Sequence, residues 1–142
     1  MIKPIVKDIK ILSQKSEKCI VGVIGDDIPH LIEDMLDTAI AHKENCIGLS
    51  AVQIGEHKRV ILVLINGIFI PFINPAIIKY SAKTYTAIEG CLSIDGEKQV
   101  KRYKEILLNY TDLKGRTHTN RFSGRVAQII QHEIDHLNGI LI

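Results

Sequence analysis

The chain is 142 residues long, 46% hydrophobic and 24% charged, with a formal net charge of +2 at pH 7. That length suits one domain with an ordinary packed core, and the composition excludes a disordered tail, a collagen-like repeat and a disulfide scaffold. Eighteen basic residues against 16 acidic ones leave no electrostatic footprint for nucleic acid or an anionic membrane.

The opening segment, Met1-Ile2-Lys3-Pro4-Ile5-Val6-Lys7-Asp8, has no long apolar core and no small-residue cleavage pattern, so no secretory signal is expected. Cys19, Cys46 and Cys91 are an odd number at wide spacings, which points to reduced thiols and a cytoplasmic location. Asp26-Asp27 can cap a helix whose first turn tolerates Pro29. Leu31, Met35 and Ala39 repeat at four, as do Ile32, Leu36 and Ile40, so together they predict one apolar face on a helix running to about Glu44. The small-residue run Cys46-Ile47-Gly48-Leu49-Ser50-Ala51-Val52-Gln53-Ile54-Gly55 suits close backbone approach better than a regular element.

Residues 60–78 are 19 in a row without a charge, the length of a minimal membrane span. Asn66-Gly67 is a hairpin signal, however, and Pro71 and Pro75 would each break a helix. Buried strands over Val60–Ile65, Ile68–Ile73 and Ala76–Tyr80 fit better, followed by Thr84–Ile88. Tyr103–Thr111 and Arg116–Phe122 flank a turn at Asp112-Leu113-Lys114-Gly115. A last helix starts at Ser123 as N-cap, turns Val126, Ile130, Ile134 and Leu137 to the core, and stops at Asn138-Gly139. The layout is α+β, with small mixed or antiparallel strands packed around this C-terminal helix and a further helix near the N-terminus.

In that last helix His132 and His136 lie four residues apart, about 6 Å of rise, so both can face one metal ion. Glu133 stands one step round, placed to act on a water beside the metal without being a ligand. The bland alternative is an exposed helix face whose His and Glu are solvated. A metal also needs a third protein ligand, and none of the six residues after His136 supplies one. Cys91, flanked by Gly90 at a strand end, is the upstream candidate; its alternative is a small buried hydrophobe.

Three segments, Gly48-Leu49-Ser50-Ala51-Val52-Gln53-Ile54-Gly55, Glu89-Gly90-Cys91-Leu92-Ser93 and Gln131-His132-Glu133-Ile134-Asp135-His136-Leu137-Asn138-Gly139, resemble the three signature motifs of the peptide deformylases, in order and at similar spacing. The resemblance implies that residues 1–142 form a single catalytic domain. It would remove the formyl group from the N-terminal formylmethionine of nascent peptides near the ribosome, releasing formate. By motif, Cys91, His132 and His136 would hold a divalent ion, natively iron(II), with zinc, nickel or cobalt able to replace it. Glu133 would take a proton from water and pass it to the leaving amine. The Gln53 side chain and the Leu92 backbone N–H would stabilise the oxyanion, although Gln53 also reads as a structural hydrogen-bond partner of its loop. Ile47 and Gly48 would contact an extended peptide, Ile129 would line the methionine pocket or simply pack in the core, and Glu89 would position the loops around the substrate. Asp135 and Gln131 are expected to orient the ligands.

The chain also departs from the family. Cys46 stands where the first motif usually starts with Gly, and Ser50 stands just ahead of Ala51 where an Ala is not kept. A thiol beside the pocket is a candidate oxidation site, so Cys46→Gly is expected to raise resistance to peroxide. Asp95 and Lys98 stand near the usual positions of a Pro and an Arg, while Arg102 keeps a guanidinium nearby. A catalytically idle homologue and a general metallopeptidase are the rival readings. The intact Gln53, Cys91, His132, Glu133 and His136 argue against the first, and the Cys ligand against the second.

Overall fold

The computed structural model describes residues 1–21 and 27–142. After a four-residue helix α1 (Ile9–Leu12) comes α2 (Ile28–Ala41). Asp27 caps α2 by accepting the His30 N–H at 3.2 Å; its expected companion Asp26 lies outside the described residues. The strands are β1 (Gly48–Ser50), β2 (Val60–Ile65), β3 (Ile68–Tyr80), β4 (Thr84–Glu89), β5 (Lys98–Tyr103), β6 (Glu105–Thr111) and β7 (Thr117–Ser123), and α3 (Gly124–Leu137) closes the fold. Five strands form one antiparallel sheet in the order β1-β2-β3-β6-β7, and β4 pairs with β5 in a second, two-stranded sheet.

The charge-free stretch is a hairpin. Asn66 and Gly67 both take positive φ, 50° and 80°, as a tight two-residue turn requires, and Ile65 pairs with Ile68 across it. No described helix is long and apolar enough to cross a membrane. The two strands expected over 68–73 and 76–80 are one strand with a bulge: its register with β6 shifts between Ile73 and Ala76, where Asn74 has φ 50°. Pro71 is tolerated because β6 ends at Thr111, opposite Ile73, so no ladder bond on that side needs its missing N–H.

β2 explains why this run is apolar without alternation. Val60 and Leu62 pack in a cluster with Ile32, Met35 and Ala39 of α2, while Ile61 and Val63 pack with Ile130 and Leu137 of α3. The strand is therefore buried on both faces, with one helix on each. Two expectations for α2 need correcting. The helix ends at Ala41 rather than near Glu44, and Ile40 is 57% exposed, off the buried stripe. The sequence reading also left out α1, β1 and β5, and Tyr103 belongs to β5 rather than to the start of β6.

Candidate active site

Three parts of the chain converge beside α3: the edge strand β1 with the 3-10 turn Ala51–Ile54 behind it, the loop after β4, and the inner face of α3 itself. Between them lies a cavity of about 190 Å³. Ile47, Gly48, Gln53, Glu89, Cys91, Leu92, Ile129, His132 and Glu133 all line it. Of the three expected metal ligands, Cys91 and His132 line it and His136 does not; His136 is fully buried and reaches the same cluster through its Nε2.

The close approach of β1 to α3 depends on Gly48. A Cβ there would come within 2.7 Å of both Glu133 Oε2 and Ile129 Cγ2, closer than van der Waals contact allows. Ile129 is at once pocket wall and core residue, so both of its readings apply. Gln53 also combines its two readings. Its Oε1 accepts the Ser50 N–H at 3.0 Å and the Ser50 hydroxyl at 3.1 Å, a structural anchorage. That anchorage leaves Nε2 as the donor end of the amide, which gives a hydrogen bond to the buried Ser93 Oγ at 3.2 Å. Ser50, a departure from the family pattern, thus helps fix the amide orientation.

The histidines on α3 bring their Nε2 atoms to 3.1 Å, and the donor atoms of Cys91, His132 and His136 all lie within 4.8 Å of one another. His132 Nδ1 is bonded to Glu89 Oε1 at 2.8 Å, which leaves its Nε2 for the cluster. Burial and the charge of His132 push His136 down to about 3, so its ring is a neutral lone-pair donor. Two buried polar atoms here, Glu133 Oε1 and His136 Nδ1, have no hydrogen-bond partner. One thiol and two imidazoles at these separations fit a divalent transition metal, and a fourth position is left open.

Around this cluster the charges are arranged in layers. Arg102 Nη2 donates to Glu89 Oε1 at 2.6 Å, its Nε reaches both Glu89 oxygens, and its Nη1 donates to Asp135 Oδ2 at 2.6 Å. Gln128 Nε2 adds a bond to Glu89 Oε2 at 2.9 Å. Burial alone would raise the Glu89 pKa, but the bonds from His132 and Arg102 outweigh it and hold the group at about 2. Its carboxylate is thus engaged on both oxygens by Arg102, Gln128 and His132, although Glu89 also lines the cavity. The buried Glu133 has no such donors, and desolvation raises it to about 7.

Three further expectations change. The partner of His132 is Glu89, whereas Asp135 binds Arg102 and Gln131 clasps the backbone of Tyr103 and Ala127, so neither touches a donor of the cluster. Lys98, near the family's Arg position, does not reach Glu89, which is held by Arg102; its Nζ donates to the Leu141 carbonyl at 3.1 Å. Cys46 has negative φ, is 2% exposed and donates its thiol to Gly48 O at 3.3 Å. Burial and then the Glu133 charge push its pKa up to about 12, which removes the basis for a reactive thiolate. The sequence reading missed Asn45, Ile88, Arg125 and Gln128 as wall residues. Of these, Arg125 and Gln128 were legible as helix positions seven and four before His132, on the same face.

A sequence model of the family described as polypeptide deformylase matches residues 2–142. The chain is similar to the peptide deformylase of Clostridium beijerinckii, 44% identical over 142 residues that cover all of both chains. It is 40% identical over 135 residues to that of Dictyoglomus turgidum, covering 94% of this chain and 83% of the relative. Among solved structures, a class I type b peptide deformylase from Acinetobacter baumannii with Met-Ala-Ser bound superposes with a TM-score of 0.90 at 29% identity, over 99% of this chain and 97% of that one. The chain belongs to the polypeptide deformylase family.

Proposed function

We propose that this pocket is where the chain, a metal-dependent hydrolase, removes the formyl group from the N-terminal formylmethionine of newly made polypeptides, with residues 1–142 forming one catalytic domain. The observation that carries the assignment is the meeting of the Cys91, His132 and His136 donor atoms within 4.8 Å beside the buried Glu133. These three residues hold the divalent ion, iron(II) in its native form, with zinc, nickel or cobalt accepted by the same donors. When bound, the ion supplies Lewis acidity to the formyl oxygen and lowers the pKa of water in the open position.

The chain's own residues do the rest. Glu133 takes a proton from the attacking water; a carboxyl raised to about 7 can hold that proton and release it to the amine as the C–N bond breaks. The Gln53 amide and the Leu92 backbone N–H stabilise the oxyanion; in support, both residues line the pocket and the Gln53 amide is fixed beforehand by Ser50. Among the described residues β1 is an edge strand that pairs with β2 alone, so its other side can take an extended peptide along Ile47 and Gly48. Ile129 forms a wall of the methionine pocket. Such work on nascent chains places the enzyme in the cytoplasm near the ribosome.

The test is formate release from formyl-Met-Ala-Ser by enzyme loaded anaerobically with iron, nickel or cobalt, against Glu133→Ala. Release that the variant loses by a factor of about 10² or more supports the assignment. No release with any of the three ions overturns it, and cleavage of an unformylated peptide bond makes the chain a general peptidase instead.

A further inference from the structure

Among the described residues, Arg125 is the single lysine or arginine that lines the pocket. It stands in the first turn of α3, seven residues before His132, which is two helical turns and about 10 Å of rise along the same face. Gln128 and Ile129 lie between them on that face. The Arg125 side chain is exposed, and among the described residues no acidic group pairs with it. The first turn of α3 contains no acid either, so this cation meets the positive end of the helix dipole without compensation. No ion pair within the described residues accounts for this charge, and it stands on the wall of the pocket, where a ligand can meet it.

The rest of the wall sharpens what Arg125 can bind. Glu89 is saturated by Arg102, His132 and Gln128, so its charge does not reach the pocket as a free group. Ile47 and Ile88 are apolar and exposed. An incoming peptide therefore meets two exposed isoleucines, the neutral amides of Asn45 and Gln128, and one unpaired guanidinium, whose planar donors match a carboxylate.

We propose that Arg125 is a specificity residue that favours formylated peptides carrying an acidic side chain on one of the two residues after the methionine. This rests on the pocket reading above, with the formyl group at the Cys91, His132 and His136 cluster. An extended chain advances about 3.3–3.6 Å per residue, so the roughly 10 Å back to the level of Arg125 is spanned by the methionine and the two residues after it.

The experiment compares formyl-Met-Glu-Ser-amide, formyl-Met-Ser-Glu-amide, formyl-Met-Gln-Ser-amide and formyl-Met-Lys-Ser-amide on the metal-loaded enzyme; the amide removes the terminal carboxylate as a competing ligand. The expected kcat/KM for the better acidic peptide exceeds that of the lysine peptide by about fivefold at low salt, the scale of an exposed ion pair, and the gap narrows as salt is added. Arg125→Ala brings the ratio near one, Arg125→Glu inverts it, and Arg125→Lys keeps its sign. Binding of the matching unformylated products by calorimetry gives the same order independently of turnover. Equal values for acidic and lysine peptides, or a preference that survives in Arg125→Ala, overturn the proposal. Failure to turn over any of the four counts against the assigned reaction, and the product-binding ratio then still decides the role of Arg125.

Discussion

The Glu89 carboxylate meets the Nδ1 of His132 at 2.8 Å, and this one contact sets which nitrogen of the ring faces His136. With Nδ1 bonded to Glu89, Nε2 is the nitrogen left to face the cluster, so an acid outside the three donors fixes the ring's orientation. Glu89→Ala is expected to weaken metal binding about 10- to 100-fold, read as the chelator concentration that strips the ion. Because the change also leaves the buried Arg102 with Asp135 alone, it lowers stability by about 3–5 kcal/mol. Glu89→Gln, which keeps the shape and one acceptor, separates the two effects; unchanged metal affinity in both variants would show that the ring is held by packing.

The same carboxylate predicts a pH dependence for the metal-free protein. Its folded-state pKa is about 2 against an ordinary 4.5, so the stability it contributes is fully present above about pH 4.5 and is lost as pH falls through about 2. Urea midpoints of the metal-free protein are expected to drop across that window, and to drop less in Glu89→Gln. An equally steep loss in the variant would assign the acid sensitivity to other carboxylates.

Gly48→Ala tests the packing between β1 and α3. The new methyl group would sit 2.7 Å from Glu133 Oε2 and from Ile129 Cγ2, and both belong to a helix held by the core. Overpacking of this kind costs about 1–3 kcal/mol, to be read by denaturant titration. Activity is expected to fall by more than the stability change explains, because the displaced atom belongs to Glu133, the carboxylate proposed to carry the proton. A variant with lower stability and unaltered kcat would mean that β1, rather than Glu133, gives way.

Much of this site was legible in the sequence because its key contacts are local or motif-borne. His132 and His136 face one point by helical periodicity alone, and Asn66-Gly67 announces its turn through backbone sterics. What could not be read are contacts that only the tertiary fold creates. Glu89 finds His132 43 positions away and Arg102 13 away, and no local pattern encodes either pairing. β1 escaped because three residues, Gly48, Leu49 and Ser50, carry too short a pattern, and it is a strand only because β2 pairs with it. β5, Lys98–Tyr103, is mostly polar, with Arg102 its one buried side chain, so its pairing with β4 left no hydrophobic alternation to find.

Cys46 shows how burial reverses a chemical expectation. A thiol next to a catalytic pocket invites oxidation only if it ionises and is reached by solvent. Here the sulfur is packed in the α2 core cluster, hydrogen-bonded to Gly48 O, and pushed to about 12 by desolvation and the nearby Glu133 charge. Cys91, by contrast, is partly exposed on the pocket wall. Iodoacetamide at pH 8 is therefore expected to label Cys91 of the metal-free protein and to leave Cys46 unmodified, as mapped by peptide mass. Cys46→Ala should lose activity in peroxide at the wild-type rate, while costing about 1 kcal/mol of stability for the lost buried volume. Selective protection from peroxide in the variant, or labelling of Cys46 in the folded protein, would show that β1 opens often enough to expose the thiol.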